Sequence, residues 1–128
     1  MYFDVSLLSE KRVCIFTLHA EWDTPEGVEA RAAATQRILG DATESLFLIL
    51  DMSQVKMTVD GVLRSANRFG RGPNAPFHHP MCRGVALVTN ESVAQVVARG
   101  LRTETFGNLA VCVCSTLEEA MEKAAPQS

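Results

Sequence analysis

The 128-residue sequence predicts a single α/β domain with a mixed, mostly parallel five-stranded sheet and four helices. Three observations lead to this prediction. After an initial pair of strands, β-forming runs alternate with amphipathic helical patterns, which is typical of parallel strands joined by helical crossovers. Residues 46–50 are apolar at every position, as expected of a strand covered on both faces. The composition, 47% hydrophobic and 21% charged, is that of a globular domain.

The first two strands are predicted at residues 2–8 and 12–20, with a hairpin-length connector between them. Both faces of the second strand are largely apolar, which predicts a position inside the sheet. A helix is predicted to begin at Thr24-Pro25, because Thr caps free N–H groups and Pro is preset for the first helical turn. It is predicted to end at Gly40 in a left-handed cap. Its inward face is predicted to consist of Val28, Ala32, Thr35 and Leu39.

The rest of the chain alternates strand and helix, with predicted strands at 46–50, 84–89 and 109–114. Helices are predicted to start at Thr58, Asn90 and Thr116, each of which offers a side-chain oxygen to free backbone N–H groups. Thr116 and Glu119 have the spacing of a capping box. The inward faces of these helices are predicted to consist of Val59, Val62, Leu63, Ala66 and Phe69; of Val93, Val96, Val97 and Leu101; and of Leu117, Ala120, Met121 and Ala124.

The net charge of −3 is unevenly distributed along the chain. Between Lys56 and Arg102, seven basic residues outweigh two acidic ones, which gives +5 there and leaves −8 for the remainder. Arg64, Arg68 and Arg71 form a stripe on the second helix, on a different face from its apolar residues. Guanidinium groups bind carboxylate or phosphate in a forked geometry, so we expect an acidic protein partner or a small anion. The alternative is that both charge sets are simply solvated faces.

Other classes of partner and location are less favoured by the sequence. Nucleic acid is not expected, because the chain is acidic overall and its Trp and Tyr lie outside the basic region. No apolar run approaches the roughly 20 residues that span a bilayer, and the N-terminus lacks the basic lead-in of a secretory signal. The four cysteines do not form a disulfide framework. We therefore expect a cytoplasmic protein, for which self-association into a homodimer is compatible with the size of the domain.

An apolar strand that ends in Asp-Met-Ser-x-Val at 51–55 and leads into a helix resembles the SpoIIAA-like or STAS domains, the sulphate-transporter and anti-sigma-factor-antagonist domains. A closer resemblance is to bacterial stand-alone STAS-like proteins of unassigned function. These carry a His-Pro element before an apolar strand and a closing Thr-Leu-Glu-Glu-Ala helix, which are matched here at 79–80 and 116–120. The order of elements matches over nearly the whole chain. The resemblance implies a single SpoIIAA-like domain over residues 1–128.

The resemblance also implies where a partner would bind. In anti-sigma-factor antagonists, the second helix and the turn before it face the partner, and a serine at the start of that helix is phosphorylated by a partner kinase. Gly61 stands about where that serine would be, so the usual phosphoserine switch is not expected. Thr58 and Ser65 are the nearest hydroxyls, and Thr58 is interpreted as a helix cap. Asp60 would supply a fixed negative charge near the helix N-terminus.

Other side chains were weighed for catalysis or metal binding. Asp51 ends a buried strand at the carboxyl edge of the sheet, where open α/β folds place ligands, and the alternative is that it hydrogen-bonds the following turn. His78, His79 and Cys82 are zinc-compatible, but no second ligand pair is present, so no metal site is expected. A nucleophilic Cys82–histidine pair would need an orienting group and an oxyanion site. No phosphate or nucleotide motif is present, so no cofactor is expected.

The sequence therefore predicts a non-enzymatic regulatory or protein-interaction domain of STAS-like type, without the usual phosphoserine switch. Its partner or anion-binding residues are predicted to be Asp51, Ser53, Thr58, Arg64, Arg68 and Arg71. A second hypothesis is a small-molecule or lipid carrier, since the layout resembles the lipid-binding SEC14-type domains, and a cavity between sheet and helices would support it. A third is a hydrolase-type enzyme that uses Cys82 or Asp51.

Overall fold

The computed structural model of the chain describes residues 2–125 and confirms the predicted α/β fold. Within this range, a five-stranded mixed sheet is combined with four α-helices. The strands are β1 (Phe3–Leu8), β2 (Val13–Leu18), β3 (Leu46–Asp51), β4 (Cys82–Val88) and β5 (Val111–Cys114). The helices are α1 (Pro25–Asp41), α2 (Val59–Gly70), α3 (Ser92–Leu101) and α4 (Leu117–Ala124).

The strands lie in the sheet in the same order as in the chain, β1-β2-β3-β4-β5. β1 is antiparallel to β2, and all the other neighbours are parallel. The prediction that β2 lies inside the sheet is confirmed. Because successive right-handed crossovers that advance in one direction place their helices on one side, α1, α2 and α3 all cover the same face. The carboxyl ends of β2 to β5 meet at one edge of the sheet.

The two faces of the sheet have separate cores. The larger core joins alternate residues of the strands to α1, α2 and α3, and it contains Phe16, Leu48, Val62, Phe69 and Leu101. The smaller core joins the opposite residues of β2, β3 and β4 to α4 through Ala120 and Ala124. A strand that is buried from both sides reads as a continuous apolar run, and this explains why β3 has no alternation.

The predicted inward face of α1 is confirmed, since Val28, Ala32, Thr35 and Leu39 are buried. The end of this helix was predicted wrongly. α1 continues through Gly40 to Asp41 and stops at Ala42, whose backbone is extended and whose N–H donates to the carbonyl of Leu39. Gly40 lies within the helix, and a side chain there would meet nothing within 4 Å. Gly40 does not have a positive φ, so no left-handed cap forms at this position.

Four apolar residues that were predicted to face inward are exposed: Val59, Leu63, Val96 and Leu117. On α2 the buried stripe is instead Gly61, Val62, Ala66, Phe69 and Gly70. For α2 and α3 the cause is the close packing of the three helices of the larger core, because each helix then buries small residues against its neighbours. Apolar side chains beyond that narrow stripe extend into solvent.

One helix start also differs from the prediction, and the predicted capping box of α4 differs in one of its two bonds. The residue before α3 is Glu91 and not Asn90, and its side chain makes no capping hydrogen bond. Thr116 does cap α4, since its Oγ accepts from the backbone N–H of Glu119 at 3.1 Å. The return bond of the capping box goes one residue further back, because the Glu119 carboxylate accepts from the N–H of Ser115 at 2.8 Å. Among residues 2–125, no helix has the length and the apolar character needed to cross a membrane.

Candidate functional site

The turn that follows β3 is organised by Asp51. Its Oδ1 accepts a hydrogen bond from the backbone N–H of Ser53 at 3.1 Å and another from the Ser53 hydroxyl at 2.7 Å. Met52 between them is buried, and its N–H donates to the carbonyl of Val88 at 2.9 Å, which extends the β3–β4 pairing. Asp51 and Ser53 are thus brought together as predicted, but they bind each other. Their observed role is the turn-forming alternative.

Thr58 is the N-cap of α2. Its Oγ accepts from the N–H of Gly61 at 3.1 Å and lies 3.1 Å from Oδ2 of Asp23, to which it donates. Asp23 belongs to the segment that leads into α1, so the Thr58 hydroxyl both starts α2 and ties it to α1. Both hydrogen-bonding functions of this hydroxyl are used inside the protein, as the cap interpretation predicts.

Replacement of Thr58 with alanine should lower the free energy of unfolding by about 1 kcal/mol, because the cap of α2 and its bond to Asp23 are both lost. Thr58→Ser should keep nearly all of the stability, since it keeps the hydroxyl. Urea unfolding followed by circular dichroism measures both values. Equal losses for the two variants would contradict the assignment of the hydroxyl as the cap.

The predicted arginine stripe is divided between internal contacts and solvent. An Arg64 guanidinium N–H donates to the backbone carbonyl of Asp23, and Arg68 Nε lies 2.7 Å from the Glu29 carboxylate. The first contact attaches α2 to the segment that precedes α1, and the second attaches α2 to α1 itself. In residues 2–125 the side chain of Arg71 makes no hydrogen bond or salt bridge. Of the three arginines, Arg71 is therefore the one whose charge is most available to an external group.

Two residues that were not predicted as site residues also hold the turn between β3 and α2 in place through hydrogen bonds. The Glu91 carboxylate accepts from the N–H of Met57 at 2.8 Å, and the Trp22 indole N–H donates to the carbonyl of Lys56 at 3.3 Å. These bonds join residues that are 34 positions apart in the chain in each case. Long-range pairs of this kind leave no local signal in the sequence.

The histidines and cysteine that were considered for metal binding or catalysis have structural contacts. His78 Nε2 lies 2.8 Å from the carbonyl of Gly70, and His79 Nδ1 accepts from the N–H of Met81 at 3.0 Å. Burial raises the pKa of the Cys82 thiol, which disfavours the reactive thiolate. Over residues 2–125, no group of three or more His, Cys, Asp and Glu side chains is placed to hold a metal ion.

The most unusual charged residue is Arg31 of α1, which is 1% exposed and is the largest fully buried side chain of the described chain. One guanidinium N–H donates to the Ser65 hydroxyl at 2.8 Å. The guanidinium carbon lies 4.2 Å from the centre of the Phe69 ring and 5.8 Å from that of Trp22. Arg31 was not among the site residues predicted from the sequence. A signal was available, because position 31 lies three residues after Val28 and so on the apolar side of α1.

Comparisons of the chain with protein-family models, with curated proteins and with solved structures find no match. The resemblance of residues 51–55 to STAS domains therefore stays a prediction. The geometry of the chain is what bears on its function.

One exposed feature remains at the start of α2. Val59 and Leu63 are 62% and 50% exposed, and they are four residues apart, so they lie one above the other on the helix surface. We call these two residues the α2 patch. Gly70 lies seven residues after Leu63, on the same side of the helix, and packs near Leu101 of α3. The α2 patch therefore borders the groove between α2 and α3.

Proposed function

We propose that this chain is a non-enzymatic, STAS-like protein-interaction domain that binds an acidic protein partner through α2. The observation that carries the proposal is the exposure of the α2 patch on the helix that the family resemblance assigns to partners. The two side chains are adjacent on the helix surface, so one partner can cover both at once. A partner that covered them would recover the free energy of burying their surface.

The charge of α2 favours an acidic partner. Arg64 is next to Leu63 on α2 and borders the side that carries the α2 patch, and Arg71 follows directly after the carboxyl end of the helix. Arg71 is uncommitted within the described residues, and Arg64 keeps further N–H groups beyond its bond to Asp23. Asp60 lies at the amino end of the helix, so a carboxylate of the partner fits best at the Arg71 end.

The packing around Gly61 supports a domain without the usual phosphoserine switch. A Cβ atom at this position would overlap the Asp23 carboxylate and lie 2.5 Å from the Cβ of Asp23. A serine therefore does not fit there while α1 and α2 keep their contact. The Thr58 hydroxyl is already bonded to Asp23, and Ser65 is held by the buried Arg31. Phosphate on Thr58 would also face the like charge of the Asp23 carboxylate.

Removal of the α2 patch should abolish partner capture without loss of the fold. The test compares the tagged wild-type protein with Val59→Ser/Leu63→Ser and with Val5→Ser/Leu7→Ser. The second variant is a matched control, because Val5 and Leu7 of β1 are 41% and 50% exposed, far from α2 in the chain. We expect a protein that co-purifies with the wild type and the β1 variant to be lost at least about 10-fold with the α2 variant.

Arg71→Glu should also reduce partner capture. The difference in capture between this variant and the wild type should become smaller at high salt, as expected for a charge at the rim of an interface. Equal capture by the α2 and β1 variants would overturn the proposed surface. Light scattering on the purified wild type identifies the remaining outcome. A dimer that dissociates only in the α2 variant would make a second copy of this chain the partner.

A further inference from the structure

Arg31 carries an unmet hydrogen-bonding demand in the core. Its Nε is buried and has no hydrogen-bond partner within residues 2–125. The ion pairs of this part of the chain are His19–Asp4 and Arg68–Glu29, so no carboxylate of the described residues neutralises Arg31. Burial lowers the pKa of Arg31 to about 10, so the guanidinium is still protonated at neutral pH. A buried charge without a counter-ion is costly, and proteins keep such groups where they are used.

A cavity of about 40 Å³ lies against this side chain. It is formed between the sheet and the three helices of the larger core. Its surface is almost entirely apolar, and the residues that line it include Arg31, Ser65, Leu18, Leu50, Val62, Phe69 and Leu87. One water molecule needs about 10–15 Å³ of cavity volume. The cavity therefore holds only a few heavy atoms, with small adjustments of its wall.

We propose that this cavity binds a short-chain monocarboxylate of about two to four carbons. A small rotation of the Arg31 side chain would turn its free Nε–H toward the carboxylate, which would also accept from the Ser65 hydroxyl. That hydroxyl accepts from Arg31 and still has its own hydrogen to donate. The alkyl end would lie against the leucine and phenylalanine side chains. This site is independent of the α2 patch, and either proposal can fail without the other.

The donor set selects carboxylate over other anions. A planar guanidinium matches the two oxygens of a carboxylate, and one hydroxyl completes the set. Phosphate or sulfate would bring further oxygens against an apolar wall, where unpaired polar atoms are costly. A long acyl chain would exceed the volume. The small volume of the cavity therefore favours a small metabolite over a lipid as its ligand.

The first test is made on the ligand side, with the wild-type protein. Propionate should bind saturably in isothermal titration calorimetry, with a Kd on the order of 1 mM, as five heavy atoms allow. Propionamide has the same shape without the charge, and it should bind at least about 30-fold more weakly. Octanoate should bind no better than propionate. No saturable heat with propionate up to about 50 mM, or equal binding of propionamide, would overturn the proposal.

The second test uses three variants. Arg31→Met should weaken propionate binding at least about 100-fold, and Ser65→Ala should weaken it about 10-fold. Arg83→Met is the matched control, because Arg83 also has a buried Nε without a partner and lies 5.4 Å from the Phe47 ring, outside the cavity. It should bind propionate as the wild type does.

Undiminished binding by a folded Arg31→Met would place propionate elsewhere on the protein and so refute the site. If Arg31→Met does not fold, Ser65→Ala and propionamide decide the matter, because neither depends on that variant. Neither result bears on partner capture by the α2 patch, which is measured with a different readout.

Discussion

Replacement of Gly61 with serine should destabilise the protein by about 3 kcal/mol, the upper end of the cost of overpacking a filled site. Gly61 is buried in the first turn of α2, directly beside Asp23. An added Cβ would collide with the Cβ of Asp23, which is close to the backbone and cannot swing away as the end of a long side chain can. The segment before α1 would have to move, which would break the Thr58–Asp23 bond and the Arg64 contact with the Asp23 carbonyl.

The sign of the effect distinguishes this packing role from helix propensity. In an open helix position, glycine to alanine stabilises by roughly 0.5–1 kcal/mol. Gly40 of α1 is such a position, since nothing lies within 4 Å of an added Cβ. In urea unfolding we expect Gly40→Ala to raise the free energy of unfolding, and both Gly61→Ala and Gly61→Ser to lower it. Stabilisation by Gly61→Ala would show that Asp23 yields readily and that the collision is not limiting.

A double-mutant cycle tests the assigned partner of Gly61. Asp23→Gly removes both the carboxylate and the Cβ, so it should recover part of the loss caused by Gly61→Ser. We expect a coupling free energy of about 1–2 kcal/mol, which is the range for residues in direct contact. The space that a Cβ at position 61 would need is occupied by Asp23, so a serine does not fit there.

The fold was predictable because its signals are local. The all-apolar β3 and the Thr24 and Thr58 caps depend on the chemistry of a few neighbouring residues, and all three are confirmed. The errors arise where a neighbouring helix decides the outcome. The amphipathic pattern of the sequence identifies α2 as a helix. It does not show that Gly61 and Gly70 pack against neighbouring segments while Leu63 is exposed to solvent. That depends on how closely α1 and α3 approach.

The candidate site shows the same division. The turn-forming role of Asp51 could be read from its position two residues before Ser53, because the bond is local. The fate of the arginines could not, since Arg64 and Arg68 find their partners 41 and 39 residues away. Arg31 was overlooked because arginine is ordinarily an exposed residue. Its position on the apolar side of α1 contradicts that expectation, and such conflicts between residue type and pattern tend to mark functional positions.

Replacement of Arg31 with methionine should make the ligand-free protein more stable, by about 2 kcal/mol at neutral pH. Methionine has a similar length, adapts to irregular space and needs no hydrogen bonds. The lowering of the Arg31 pKa by burial to about 10 corresponds to a penalty of about 3 kcal/mol, at about 1.4 kcal/mol per pKa unit. Part of the gain is lost with the Ser65 hydrogen bond and the contact with the Phe69 ring. Replacement of buried charges by apolar side chains commonly has this stabilising direction.

The pH dependence of this gain follows from linkage. Above about pH 10 the native protein releases the Arg31 proton while the unfolded chain still holds it, so the wild type should gain stability as the pH rises past this value. The other titrating groups are common to both proteins and cancel in the difference. The advantage of Arg31→Met should therefore be constant up to about pH 9 and shrink above pH 10.

Urea unfolding of both proteins across this pH range measures the advantage, and the exposed Arg37→Met of the same helix serves as the control. Its stability should differ from the wild type by less than about 0.5 kcal/mol at every pH. A clear destabilisation by Arg31→Met would mean that the Ser65 and Phe69 contacts outweigh the cost of burial. The wild type would then have a structural reason to keep the arginine. A gain in stability joined to a loss of propionate binding would instead mean that the protein gives up stability in order to hold an anion.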